Sequence, residues 1–402
     1  MKTILLLGTG ISSPDAVARL KSLGLKIILV ELPHLFDREK AAPADEIILT
    51  DYRKESFCEL AARLREAWAF DAVLSITEAG VAVAARLNRQ FGMRGSDENS
   101  VACLNDKARM RAILLASGFS EVSHALLRER MDIAAFAAHA GFPLILKPVD
   151  GGGSRGIHKA DSIGEAEAAF DSLRADGFTV LAEEYIDGRE YSVESFSFNG
   201  VHTVVAITEK LVNERFVEIG HVVPAMLDDA TAHAVRRFVG EFLTIMGVTN
   251  GPCHTEMKIG PKGMKIIESH NRVGGGNISK LVLLVYGVDL IQLAGQWACG
   301  MIEPMVAPQA AQGAAAIHFL VFPEGKIVDL DGLQHIEDNA STVEYHCLYG
   351  KGDTVPAVLD NSGRSGYVLV REASAAEAIE KAKRLARGVV VTTSLDEGAA
   401  IS

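Results

Sequence analysis

Residues 144–157 read LILKPVDGGGSRGI, an apolar run that ends in lysine and proline, then three glycines, a serine, an arginine and a further glycine. Gly151, Gly153 and Gly156 satisfy the spacing G-x-G-x-x-G, but a dinucleotide loop of that form opens a helix on its last glycine. The residues after Gly156 do not. IHKA alternates like a short strand, and the next helix signal comes at Ser162, which with Glu165 makes a capping box ahead of EAEAAF. A Walker loop is excluded too, because Ile157 and His158 stand where Lys and Ser or Thr are required. The order strand, glycine loop, strand predicts a hairpin flap. Such a tip, with a lysine at its base, wraps phosphates through free backbone N–H groups or is an ordinary flexible turn.

Outward from this loop, the chain is too long, at 402 residues, for one core, and two to four domains are expected. Its net charge of -12 argues against a broad nucleic-acid surface, which needs clustered cations. Any anion site must be local. Cys58, Cys103, Cys253, Cys299 and Cys347 are odd in number and lack C-x-x-C spacing, so neither a disulfide framework nor a zinc ribbon is indicated and a reducing cytoplasm is expected. The apolar run of MKTILLLGTG is too short for a signal peptide and reads as a first strand. The stretch LVLLVYGVDLIQLAGQWACGM from Leu281 is interrupted by Asp289, Gln292 and Gln296 and reads as a buried helix, not a membrane span.

The first hundred residues alternate strand and helix, the pattern of a parallel doubly wound sheet. Gly8, Gly10 and Ser13 give G-x-G-x-x-S after the first strand, and Glu31 ends the second where a ribose-binding acid would sit, so a nicotinamide-dependent oxidoreductase is a rival reading beside a plain tight turn. Further on, EYSVESFSF alternates as a strand of an antiparallel sheet, and the organisation changes from α/β to α+β. IEPMVAPQAAQG reads as a linker before a last unit with hairpin signals at FPEGK and DNSGRSG and a helix capped by Ser374 and Glu377 and stopped at Gly388.

The segment CHTEMKIGPKGMKIIESHNRVGGG carries the sharpest geometry. A three-residue loop of Pro261, Lys262 and Gly263 pairs Gly260 with Met264 and places Glu256 opposite Glu268. Side chains so opposed have Cβ atoms roughly 5 Å apart, and like charges there repel, so a cation between them is expected. Magnesium suits hard oxygen ligands completed by phosphates, whereas the next pair outward, His254 with His270, would admit a softer metal. The alternative is an exposed hairpin whose glutamates diverge into water, screened by Lys258. Arg272 and Gly274 to Gly276 add a cation and bare backbone N–H groups, as an anionic reacting group needs.

Lys147 with its flap, EEYIDGREYSVE and the two hairpin glutamates followed by N-R-x-G-G together resemble the ATP-grasp superfamily, in the expected order across Lys107 to Gly276. The resemblance implies a multidomain α/β and α+β fold: a Rossmann-like amino-terminal domain over 1–105, a lid domain with the flap over 106–186, and a carboxyl-terminal grasp domain over 187–402 with an α+β subdomain from about 313. It implies ATP and magnesium, two ions, with manganese an alternative. Lys107 and Lys147 resemble the phosphate lysines, and Gly151, Gly152, Gly153, Ser154 and Gly156 the phosphate flap. Glu183 with the backbone of Tyr185 and Ile186 resembles the adenine hinge, and Glu190 the ribose acid. Glu256 and Glu268 resemble the metal ligands. The family commonly has Asn two residues after the second metal glutamate; here His270 holds that place with Asn271 beside it, and the third ligand is left between them. Arg272 resembles the arginine that contacts the transferring phosphoryl group and the substrate carboxylate.

FVEIGHVVPA, with Glu218 and His221 three apart, resembles the L-amino-acid ligases that make dipeptides. The resemblance implies a substrate pocket lined by Glu218, His221, Arg272 and Gly275, with Glu78 as a further acid for an α-ammonium group. In the expected reaction Lys147 and Arg272 position the phosphoryl group, and Glu218, His221 or substrate phosphate accepts the amine's proton. Glu78 can instead be a helix N-terminal acid favoured by the dipole, and His221 a structural histidine. The expected activity is ATP-dependent joining of two amino acids through an acyl phosphate, releasing ADP and phosphate, in a soluble enzyme for which a homodimer is the commonest state. Competing readings are a biotin-carboxylase-like enzyme acting on bicarbonate and a non-catalytic ATP-binding regulator.

Overall fold

The computed structural model describes residues 1–9, 15–214 and 216–394. Near the amino terminus, strands Thr3–Leu7, Lys26–Glu31, Glu46–Leu49 and Ala72–Leu74 form a parallel sheet in the spatial order third, second, first, fourth. TILLL and KIILVE are near-continuous apolar runs because helices cover both faces of such a sheet. The order reverses between the first and fourth strands, the place where open α/β sheets offer a crevice beyond their carboxyl ends. Thr77 and Glu78 follow the fourth strand there.

The flap unit is a second, antiparallel sheet of His124–Leu127, Val180–Glu184, Leu144–Pro148 and His158–Ala160, in that order. Helices Asp132–Ala140 and Ile163–Ala175 pack Phe136, Phe170 and Leu173 against Leu144 and Leu146. Leu144 pairs with Ala160 and Leu146 with His158, so residues 144–160 do form strand, glycine loop, strand. Ser162 caps the following helix through the Glu165 N–H, while Glu165 accepts from Asp161 rather than from Ser162, so only half of the expected box forms.

The largest sheet has eight antiparallel strands: Gly263–His270, Gly251–Gly260, Arg189–Phe198, Val201–Val212, Glu218–Val223, Ala314–Leu320, Gly366–Glu372 and Thr342–Cys347, in spatial order. Helix Asp229–Ile245 covers one face through Val235, Val239 and Phe242. Helices Ile278–Tyr286 and Leu290–Ala298 cover the other. EYSVESFSF is an antiparallel strand as its alternation suggests, and under this double cover every residue from Tyr191 to Phe198 is buried. Its polar side chains therefore point into the interior.

The apolar stretch from Leu281 lies in two short buried helices bent by 89°, and no single helix among the described residues is long and apolar enough to cross a membrane. The carboxyl-terminal unit continues the eight-stranded sheet, since Ala314–Leu320 pairs with Glu218–Val223. FPEGK is not a hairpin: the strands on either side of it, Ala314–Leu320 and Gly325–Asp331, lie in different sheets, the latter between Thr354–Val355 and Val390–Ser394. DNSGRSG is likewise a 3-10 turn, Asn361–Gly363, leading into a strand. Turn chemistry fixes a local reversal but not which strand receives the chain.

Candidate active site

The hairpin does bring Glu256 opposite Glu268, by a different route from the one its sequence suggests. Gly260 pairs with Gly263, so the loop is two residues, Pro261 and Lys262, and Lys258 pairs with Lys265 and Met257 with Ile266. Unbroken, that register would set Glu256 against Ile267. A β-bulge intervenes, and the pairing resumes with Glu256 against Glu268. The bulge is pinned from outside: Arg111 Nη1 donates to the Ile266 carbonyl at 2.6 Å and Nη2 to that of Ile267 at 3.2 Å.

The two carboxylates do not diverge into water. Glu256 lies 2.6 Å from the Lys210 ammonium and Glu268 3.1 Å from that of Lys107. Burial alone would raise both carboxyls, but Lys210 holds Glu256 below the usual carboxylate range and Lys107 holds Glu268 well below it. Both are thus ionised and ready for a cation. His254 and His270 face each other as the register requires, yet each Nε2 turns to the glutamate two residues away on its own strand or hairpin arm, at 3.1 and 3.2 Å. Among the described residues no group of three His, Cys, Asp or Glu side chains is arranged to hold an ion. Two ionised carboxylates on the wall of a cleft fit magnesium, which leaves its other positions to phosphate and water. Asn271 is not brought to this pair. Strand alternation sends it to the opposite face, where its amide donates to Cys253 Sγ at 3.5 Å.

Two cavities meet at these carboxylates. The first, of about 100 Å³, lies under the flap, and Lys107, Lys147, Gly151 to Ser154, Tyr185, Ile186 and Glu190 line it. Lys147, buried, reaches Glu183 at 2.8 Å, and Lys107 donates to the flap carbonyl of Gly151 at 2.7 Å. Glu183 also receives a two-point grip from Arg111, at 2.7 and 3.2 Å. Although burial opposes its ionisation, Arg111 and Lys147 pull its pKa down to about 2. Deep in the wall, the Lys210 ammonium gathers three carboxylates: Glu190 at 3.0 Å, Glu218 at 2.9 Å and Glu256 at 2.6 Å. The ammonium groups of Lys159 and Lys258 lie 5.3 and 5.1 Å from the centre of the Tyr185 ring, and Lys258 donates to the Ile186 carbonyl. Gly156 also lies in the flap loop, with Leu173 against it.

The second cavity, of about 490 Å³, opens toward the crevice of the parallel sheet, and Glu78, Arg272, Gly274 to Gly276, Glu218, Asn361 and Arg364 are on its wall. Glu78 is both a first-turn acid of its helix and a partner of Arg272 at 3.1 Å, so its two readings coexist. Burial would raise its carboxyl, but His270 and Arg272 hold it below the ordinary value. His221 does not line the cavity. It is fully buried behind Gly276, edge-on to Phe319 and 3.4 Å from Glu218. Gly276 has a left-handed φ of +57°, and a Cβ there would stand 2.7 Å from His221 Nε2. Glu31 is spent on its own turn, accepting from Thr9 N, Thr9 Oγ1 and Leu32 N. These bonds tie Glu31 to its own turn at the edge of the second cavity; Gly10 and Ser13 of the oxidoreductase reading lie outside the described residues.

Residues 140–280 match the model of the ATP-grasp domain, and residues 318–394 that of the L-amino acid ligase C-terminal domain 2. This is an ATP-grasp fold. The alanine--anticapsin ligase of Bacillus amyloliquefaciens is 27% identical over 269 residues, which cover 60% of this chain and 57% of that relative's length. The crystal structure of an L-amino acid ligase from Bacillus licheniformis superposes with a TM-score of 0.85 at 20% identity, covering 98% of this chain and 99% of the other. A biotin carboxylase domain from Hydrogenobacter thermophilus, solved with MgADP and bicarbonate, superposes at 0.74 with 17% identity over 97% of this chain and 90% of its own.

Several residues of this ATP-grasp site escape the sequence motifs. Arg111 stands four residues after Lys107 on the helix Lys107–Ala116, on its buried face, and a charge repeated at helical spacing was the signal available. Lys210 interrupts the apolar strand Val201–Val212 and is buried there, which a long side chain tolerates only with partners. Asn361 and Arg364 carried no signal at all.

Proposed function

We propose that this chain is an ATP-dependent carboxylate–amine ligase that joins two amino acids and releases ADP and phosphate. The observation that carries the reading is the shared wall. Two ionised, opposed glutamates stand between a lysine-lined cleft under a glycine flap and a larger cavity lined by both acids and arginines. The names of the relatives, an alanine--anticapsin ligase and an L-amino acid ligase, support the substrate class.

In this reading Glu256 and Glu268 hold two magnesium ions, or manganese in their place, with His270 behind Glu268 in preference to Asn271. Bound MgATP supplies the phosphoryl group that turns a substrate carboxylate, a poor electrophile, into an acyl phosphate with a good leaving group. The remaining chemistry belongs to the chain. Lys107 and Lys147 grip phosphate oxygens, and Glu183 keeps the Lys147 ammonium aimed at them. The backbone of Tyr185 and Ile186 meets the base and Glu190 the ribose. Arg272 orients the reacting carboxylate, with Glu78 taking the ammonium group of the same amino acid. Gly151 to Gly156 close over the site and exclude water that would hydrolyse the activated acid. Glu218 faces the second amino acid. Glu218, which Lys210 holds at 2.9 Å, orients the amine, and either its carboxylate or the departing phosphate takes the proton the amine must lose. We divide the chain accordingly into a Rossmann-like unit over 1–105, a flap unit over 106–186 and a grasp unit over 187–402, with a subdomain from about 313.

A phosphate-release screen over pairs of amino acids, with mass spectrometry of the products, tests this directly. Turnover that needs two amino acids and yields a dipeptide is expected; ATP consumption with bicarbonate alone would favour the carboxylase reading. Glu268→Gln should lower turnover by at least about 100-fold with the fold intact, and a fully active variant contradicts the metal assignment.

A further inference from the structure

Resting on the ligase reading, the inference concerns the second substrate. Of two amino acids joined head to tail, only the amine donor keeps its carboxylate through the reaction. The cavity that receives it must therefore hold a cation that is not committed to the phosphoryl group. Among the described residues, three lysine or arginine side chains line the 490 Å³ cavity: Lys40, Arg272 and Arg364. Arg272 is engaged by Glu78 at 3.1 Å and by the Val273 carbonyl at 3.0 Å. Lys40, on the short helix Arg38–Ala41, is paired with Asp37 at 3.6 Å. Arg364 is different. Its guanidinium carbon lies over the Phe319 ring, 3.7 Å from the centroid, and one guanidinium nitrogen donates to Glu218 Oε2 at 3.3 Å. Glu218 is itself held more closely by Lys210, at 2.9 Å. A guanidinium has five N–H donors in a planar fork, so the remaining edge is free to take a carboxylate by two parallel bonds.

We propose that Arg364 binds the α-carboxylate of the amine-donating amino acid, with the adjacent Glu218 facing its amino group. A carboxylate and a guanidinium side by side are complementary to the zwitterion of an α-amino acid, in which the opposite charges are one carbon apart. The same segment reaches the flap. Asn361 donates its backbone N–H to the Gly153 carbonyl at 3.2 Å, and its side-chain oxygen accepts from the Glu218 N–H at 3.0 Å. The carboxyl-terminal unit thus supplies a specificity-determining residue and, three residues earlier, a contact to the lid over the phosphate cleft.

The experiment uses the full chain and the amino-acid pair with the highest turnover in the phosphate-release screen. The amine donor is supplied as the free acid and as its α-amide, and kcat/KM is measured for each. Wild type should prefer the acid, and Arg364→Gln should lower the acid-to-amide ratio by about 10- to 100-fold, the loss of a charge-assisted bond. Impaired folding scales both substrates alike and leaves the ratio untouched. If Arg364→Gln is inactive on both, the ratio is read on Arg364→Lys, which keeps the charge without the fork and should lower it by less. An unchanged ratio overturns the assignment of Arg364 while leaving the ligase reading intact. Absence of wild-type turnover with every pair overturns both.

Discussion

Glu183→Gln is the most informative perturbation of the phosphate cleft, because its cost follows from charge counting. Glu183 is gripped by two buried cations, Arg111 at 2.7 Å and Lys147 at 2.8 Å. The isosteric amide leaves both cations without an anion in a dry site. The carboxyl is held at about 2 instead of its ordinary 4.5, which corresponds to roughly 3 kcal/mol of folding stability. Removing one member of a buried pair costs about 3–5 kcal/mol in general, so the two routes agree. The sign is fixed by the depressed pKa: the contribution is fully present above about pH 4.5, where the unfolded carboxyl is ionised, and is lost as pH falls toward 2. In scanning calorimetry near pH 7, the transition of the unit carrying Glu183 should fall by about 6–12 °C in the variant, at roughly 2–4 °C per kcal/mol. The gap from wild type should shrink as pH is lowered from 4.5. Adding Lys147→Met removes one stranded cation while sparing the Arg111 bonds to the bulge, so the double variant should be more stable than Glu183→Gln alone. A single-variant shift under about 2 °C, or a double variant no more stable than the single, would refute the reasoning.

Lys210→Met strips the shared ammonium from Glu190, Glu218 and Glu256, so a stability loss of about 3–5 kcal/mol in thermal unfolding and a fall in phosphate release of at least about 100-fold are expected; near-wild-type activity would show that the three carboxylates find other partners. Gly276→Ala places a Cβ 2.7 Å from His221 Nε2 at a left-handed φ of +57°. A strain of about 1–3 kcal/mol should displace the glycine run beside the amino-acid cavity, raising the KM for amino acids while that for ATP stays constant, and equal effects on both would place the run in the nucleotide cleft instead.

How much of this site could be read in advance differs from residue to residue. The flap was legible because glycine spacing and the alternation after Gly156 are local signals, and the helix at Ser374 has its full capping box for the same reason. Facing of Glu256 and Glu268 was legible only in outcome. The sequence offered a three-residue loop, whereas the chain uses a two-residue loop and one bulge, and both arrangements oppose the same pair. Asn271 stood beside His270 as a candidate third ligand, and His221 was either a pocket residue or a structural histidine; strand alternation turns Asn271 away, and Gly276 stands between His221 and the cavity. The hairpin signals at FPEGK and DNSGRSG misled because a turn does not name the sheet its next strand will join.

By itself the amino-acid order determined the glycine-rich hairpin, a lysine near the end of its first strand and another at the start of the helix Lys107–Ala116, and two acids on one hairpin. Tertiary structure decided which charges share a dry space. Arg111 reaches a carbonyl 155 residues away, and Arg364 meets Glu218 across 146. Periodicity and turn chemistry act over a few residues, whereas a buried charge must be neutralised by whatever the folded sheets bring to it, and no local pattern records that partner.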